Sequence, residues 1–174
     1  MGALTWSVGQ KLTAARLNLR IPITALKTAD TAITSDTSDN ADAELVLTLK
    51  AGVTYDLIGT LLVIAASATP DIKFGWAWTN TASVVMGDQG LIAGVASGTS
   101  SDLEAAARQA DTATPTSDVA YGVTTTLHGI QLLDRVIVAS AADSVFTLMW
   151  SQNTSSADSL TLKASSHVTA IPIG

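Results

Sequence analysis

Glu44-Leu45-Val46-Leu47-Thr48-Leu49-Lys50 decides the fold class. Leu45, Leu47 and Leu49 fall on one side, and Glu44, Val46, Thr48 and Lys50 on the other. That period of two belongs to a half-buried strand; a helix would spread the three leucines around its axis. Ala51-Gly52 supplies a turn, and Val53 to Ala65 resumes as a long β-prone run. Gly59 inside that run predicts a bulge or bend. The apolar stretch Leu57 to Ala66 is well short of the roughly 20 residues a membrane-spanning helix needs. It lies between Asp56 and Asp71 and predicts a buried strand.

Farther on, Thr69-Pro70-Asp71 is a turn, and Ile72 to Trp78 alternates Ile72, Phe74, Trp76 and Trp78 on one side. A face with two tryptophans and a phenylalanine is either a core or an interface wall. Ser83 to Met86, Val119 to Thr126, Gly129 to Ser140, Ser144 to Ser151, Ser159 to Ala164 and His167 to Ile173 also read as strands. Phe146, Leu148 and Trp150 share one face of their segment. Residues 87–118 form a long connection with a short helical stretch, Ser101 to Ala110. Connections of that length are often functional. Eight to ten strands, short turns and almost no helix predict an all-β fold. The expected architecture is a two-sheet antiparallel β-sandwich, a jelly roll.

Met1 to Thr28 reads differently. Thr13 is an N-cap, and Ala14 to Leu19 can make a helical turn that Pro22 limits. Leu12 and Leu17 have the spacing of a hydrophobic staple. So short a helix is not stable alone in water, so the segment must lie on something. The expected organisation is an N-terminal anchoring arm, residues 1–28, and a sandwich, residues 29–174. Lys11, Arg16, Arg20 and Lys27 gather in the arm. They form either a solvated helix face or a basic arm that docks on an acidic partner.

Of the 174 residues, 47% are apolar and only 14% charged, against about a quarter charged in a usual domain. Ser and Thr supply 41 residues, so the surface is mostly hydroxyl and cheap to desolvate. A formal net charge of −6 and scattered cations argue against nucleic acid. The absence of cysteine excludes disulfides, thiolate metal sites and cysteine nucleophiles. Met1 to Arg20 lacks the continuous apolar core of a secretory signal.

The search for chemistry finds little. His128 and His167 are far apart and sit in no metal-ligand motif. Gly94 to Gly98 has the wrong spacing for a nucleophile elbow. Gly87, Gly90 and Gly94 lack the ending of a phosphate-binding loop. Asp36, Asp39, Asp42 and Glu44 are the best Ca²⁺ candidates, but they have neither the alternation nor the central glycine of an EF-hand. Glu occurs only at Glu44 and Glu104, which leaves no carboxylate pair suggestive of glycoside cleavage. Trp76, Trp78 and Trp150 would make a sugar platform only if exposed. No catalytic residue, metal or cofactor is expected, and no enzyme activity.

Two stretches resemble small structural proteins of tailed bacteriophages. Thr5 to Asn18, TWSVGQKLTAARLN, is similar to their opening W-x-x-G-x-x-(V/L)-T-A-A-x-(L/M)-N. Leu148 to Ala157, LMWSQNTSSA, and Leu160 to Ser166, LTLKASS, are similar to their endings L-x-W-A-Q-N-x-S and A-G-S. Ser151 stands for the usual Ala, and Ser165 for the usual Gly. The resemblance implies a non-enzymatic capsid decoration protein, made in the bacterial cytoplasm and displayed on the virion exterior. It implies a homo-oligomer, a trimer, on the major capsid protein, with no nucleic acid or membrane partner. The anchoring residues expected in the arm are Trp6, Leu12, Arg16, Leu17 and Arg20. Trp76, Trp78 and Trp150 are expected to form a core or trimer wall. The alternative is a tail fibre or baseplate protein that binds a host receptor or glycan.

Overall fold

The computed structural model describes residues 9, 11, 13–14, 20–80, 84–88, 91–93, 110–111, 119–138 and 141–173. The strands are β1 (Ile23–Leu26), β2 (Thr31–Ile33), β3 (Asn40–Leu49), β4 (Thr54–Ala65), β5 (Ile72–Trp78), β6 (Val84–Asp88) and β7 (Leu91–Ala93). They continue as β8 (Ala110–Asp111), β9 (Val119–Tyr121), β10 (His128–Val138), β11 (Ser144–Gln152), β12 (Leu160–Leu162) and β13 (His167–Pro172). A nine-stranded sheet runs β1-β13-β4-β10-β6-β8, with β12 between β2 and β4 and with β7 on β10. A four-stranded sheet runs β3-β11-β5-β9. The pairings are antiparallel.

Eight strands carry the topology: β1, β3, β4, β5, β9, β10, β11 and β13. One sheet takes the first, eighth, third and sixth of these, and the other takes the second, seventh, fourth and fifth. That interleaving is the jelly roll, two Greek keys wound together. β6, β7 and β8 lie in the connection between β5 and β9. β6 and β7 pair along β10, which covers an edge that would otherwise be open to another chain.

The core forms where the two sheets face each other. Leu45, Leu47 and Leu49 of β3 are all buried, as are Leu57, Leu61 and Val63 of β4 and Phe146, Leu148 and Trp150 of β11. β4 is buried on alternate residues only, so Leu57 to Ala65 is a half-buried strand and not the fully buried one the apolar run suggests. Phe74 stacks on Tyr121 with ring centroids 4.9 Å apart. Asp134 also points inward, and its Oδ2 accepts the Trp76 indole N–H at 2.9 Å. A buried carboxylate needs such partners.

Two local expectations change. Gly59 makes no bulge: it pairs in regular register with Leu132 on one side and Val168 on the other. The glycine serves close approach, since a Cβ there would meet the His167 carbonyl oxygen at 2.3 Å. The strand expected over Val119 to Thr126 ends at Tyr121. Thr124 and its neighbours instead turn around His128, whose Nε2 accepts the Thr124 N–H at 3.1 Å. The helical stretch expected over Ser101 to Ala110 falls outside the described residues, except for Ala110 in β8.

Ser165 sits in the turn between β12 and β13 with φ of 71°, a left-handed conformation that costs a residue with a Cβ roughly 1–2 kcal/mol. Ser165→Gly should raise the unfolding free energy by about 0.5–1 kcal/mol, after the extra freedom of glycine in the unfolded chain is subtracted. Urea denaturation of the two proteins checks this. Ser166 beside it is buried, takes the Leu62 N–H at 2.9 Å and donates to the Lys163 carbonyl at 2.8 Å.

Candidate functional site at the junction of arm and sandwich

The irregularity predicted at Gly59 occurs in β3 instead. Thr147 opposes Val46, while Met149 opposes Ala41, so β3 has extra residues over a short stretch of β11. This is a bulge. Asp42 holds it: its Oδ1 accepts the backbone N–H of Glu44 at 2.9 Å and of Leu45 at 3.0 Å. Side-chain capping of this kind is what Asp does well in turns.

The other Asp42 oxygen meets Lys27, just beyond β1. Lys27 Nζ lies 2.7 Å from Asp42 Oδ2 and 3.4 Å from Glu44 Oε2. Lys27 is only 2% exposed and Asp42 3%. Lys27 is therefore not part of a solvated helix face or a free basic arm, as its neighbours in sequence suggested. Its main chain is tied down as well: Lys27 N–H donates to the Ser166 carbonyl, and Ser165 N–H to the Lys27 carbonyl, each at 2.8 Å.

Glu44 secures the next residues. Its Oε1 accepts the Thr28 N–H at 2.9 Å and the Thr28 hydroxyl, and its Oε2 takes the Ala29 N–H at 3.4 Å. Asp30 accepts the Ala164 N–H at 2.8 Å and pairs with Lys163. Residues 27–30, the β3 bulge and the 163–166 turn thus meet at one place. There the chain that follows β1 is locked to both sheets. β1 itself lies within the segment read as arm, so the sandwich begins at Ile23.

Hydrogen bonds from Thr28, side chain first and then backbone, hold the Glu44 carboxyl well below its usual 4.5, at about 2. A carboxylate depressed on folding contributes stability above its unfolded pKa and loses it as pH falls through the folded value. Stability should therefore decline more steeply in the native protein than in Glu44→Gln between about pH 4.5 and 2. Denaturant titrations across that range read the difference in slope. The bond to Lys163 likewise lowers Asp30.

The acidic run suggested for Ca²⁺ is engaged within the protein. Asp36 accepts the Ser38 N–H and the Asn40 amide, Asp39 faces Lys73 at 3.5 Å, and Asp42 and Glu44 hold Lys27 and Thr28. Among the described residues, no three acidic or histidine side chains are gathered for a metal. Trp76 and Trp150 are buried inside the single chain; Trp78 is partly buried, its ring stacked on Phe146 at 5.6 Å. These rings form a core wall, and Trp76 and Trp150 offer no surface to a sugar. His128 is buried, which lowers its pKa. His167 lies on the far side of β13. Trp6, Leu12, Arg16 and Leu17 lie outside the described residues; Arg20 is exposed.

Gln152, within the stretch Leu148 to Ala157, has a clear structural role. It is fully buried. Its amide donates to the Asp158 carbonyl at 2.8 Å and accepts the Ser156 N–H at 2.9 Å. One side chain thus ties the second half of the 153–158 loop back to the end of β11.

No protein-family model and no curated protein matches this chain. Solved structures of infectious bursal disease virus are similar at low identity. The Gt strain structure is 12% identical with a TM-score of 0.24, covering 99% of this chain and 45% of that one. The Gx strain structure is 14% identical with a TM-score of 0.21, covering 88% and 42%. A mutant VP2 protein of the same virus, in derived particles, is 12% identical with a TM-score of 0.23, covering 99% and 45%. This chain spans less than half the length of those proteins. Likeness at that level says nothing about what the chain does.

Sequence reasoning missed Lys27 as a site residue. The signal was present in the five acids that follow it within 20 positions, Asp30, Asp36, Asp39, Asp42 and Glu44, on an otherwise sparsely charged chain. Which acid it would meet depended on a bulge that no local pattern announces. Among the described residues no helix is long and apolar enough to cross a membrane.

Proposed function

We propose that this chain is a non-enzymatic virion structural protein, a decoration protein of a tailed-phage capsid. It docks on the major capsid protein through an arm formed by the part of residues 1–28 that precedes β1, and trimerises through its jelly roll. The observation that carries the reading is the junction at Lys27, Asp42 and Glu44. Lys27 directly follows β1, so the pair fixes the first strand of the sandwich and with it the point from which the preceding residues leave the domain. A fixed point of departure suits a segment that joins a displayed domain to a particle. The resemblance of Thr5 to Asn18 and of Leu148 to Ser166 to phage structural proteins supports the same reading. So do the structural partners held by Asp36, Asp42, Glu44 and His128, which leave those groups little freedom for catalysis.

Trp6, Leu12, Arg16, Leu17 and Arg20 are the arm residues assigned to the capsid contact. Deleting residues 1–20 removes them and leaves β1 and the Lys27 junction in place. The truncated chain should fold with unchanged circular dichroism and lose binding to undecorated particles in a co-sedimentation assay. Full binding by the truncation would overturn the arm's role. Quantifying the chain in purified virions separates capsid from tail: a copy number comparable with that of the major capsid protein fits decoration, and a handful fits a tail or baseplate part.

A further inference from the structure

Across the outer face of the nine-stranded sheet, the register places Thr24, Thr169, Ile58 and Leu133 in one row. Ile58 and Leu133 are side by side and 43% and 42% exposed; Leu26, two residues beyond Thr24, is 54% exposed. Large aliphatics on adjacent strands of an open sheet face are unfavourable in water, and together they mark an interaction surface.

Several polar side chains around this row are paired with one another, and His167, also on this face, lies 3.4 Å from the Ser165 carbonyl. Thr24 Oγ1 lies 2.9 Å from Thr169 Oγ1, and the Thr60 hydroxyl donates to Gln131 Oε1 at 3.2 Å. Arg135 grips Asp56 through two bonds of 2.7 and 3.1 Å. The Thr24–Thr169 and Thr60–Gln131 pairs take their own hydrogen bonds with them when water leaves, so covering them costs little desolvation, whereas the Arg135–Asp56 pair, 59% and 26% exposed, belongs at the solvated rim of a contact. The one prominent charge pair on it is already neutralised, which leaves little to select a basic or acidic partner.

Size points the same way. Five strands about 4.8 Å apart, four to twelve residues long at about 3.3 Å per residue, span on the order of 600 Å². A stable association buries about 800 Å² on each partner. From the charge neutrality and the area we infer that a second copy of this chain covers this face, and that Ile58 and Leu133 lie at the centre of the contact. The inference rests on the homo-oligomer reading above and names the surface that reading requires.

Light scattering on the full chain tests it. The wild-type protein should have a mass that is a multiple of 17.8 kDa. The double variant Ile58→Lys/Leu133→Lys should fall to the mass of one chain with unchanged circular dichroism. Val46→Lys, on the outer face of the smaller sheet, should keep the wild-type mass. If the double variant keeps the oligomer, this surface is wrong and the homo-oligomer reading stands. If the wild type is monomeric at high concentration, both fall. A second measurement does not depend on the double variant folding. In this cysteine-free chain, maleimide should label Ile58→Cys at least about tenfold more slowly than Val46→Cys, as burial in an interface requires. Equal rates in the assembled protein would overturn the inference.

Discussion

Asp42→Ala is expected to lower the unfolding free energy by about 3–5 kcal/mol, the usual cost of leaving one member of a buried ion pair alone. Lys27 would stay enclosed, with Glu44 3.4 Å away as its closest remaining anion. Glu44 already serves Thr28 and Ala29. The same substitution removes the acceptor of the Glu44 and Leu45 N–H groups, so the bulge loses its support too. Lys27→Met should cost less, because Asp42 keeps both backbone donors. The double variant Lys27→Met/Asp42→Ala should fall well short of the sum, since neither charge is then stranded. Urea denaturation of the four proteins gives the coupling. A loss below about 1 kcal/mol for Asp42→Ala would mean that Lys27 escapes to water and that the junction is a surface pair.

Gly59→Ala comes next in size. The new methyl would sit 2.3 Å from the His167 carbonyl oxygen and 3.0 Å from Val168 Cα. Both are backbone atoms in the β4–β13 ladder, so no side-chain rotation relieves the contact. The strands must separate locally, at a cost of about 3 kcal/mol, toward the upper end for overpacked positions. Gly129 of β10, on the opposite face of the same sheet, is a control. A Cβ there meets only side-chain carbons of Thr60 and Leu62 at 3.7 and 3.9 Å, and its substitution by Ala should be near neutral. Hydrogen exchange at the β4 and β13 amides localises the damage. Exchange in Gly59→Ala that matches the wild type would rule out the close approach.

Much of the core was legible. Leu45, Leu47 and Leu49, like Phe146, Leu148 and Trp150, face inward as their alternation requires. Alternation reports which side chains must leave water, and that is a property of neighbours along one strand. The Ile72 to Trp78 face was legible as apolar but not as core or interface. Its status depended on the larger sheet lying across that face, where Asp134 of β10 takes the Trp76 N–H. Gly59 was noticed for the wrong reason. A glycine in a strand signals either a bulge or a close neighbour, and only the neighbouring strand tells which.

By itself the sequence determined an all-β chain with inward and outward faces, poor in charge and without thiol or clustered-histidine chemistry. These follow from residue type and a spacing of two, both local. The tertiary structure alone decided which strands are partners, and hence the jelly-roll order. It also decided where the few charges went. Lys27 reads in sequence as one of four basic residues of an arm, yet in the fold it is the buried root of that segment. Its partner Asp42 lies 15 positions away, turned toward it by a bulge. A lysine's burial depends on what the rest of the chain brings around it, and no pattern of its sequence neighbours carries that information.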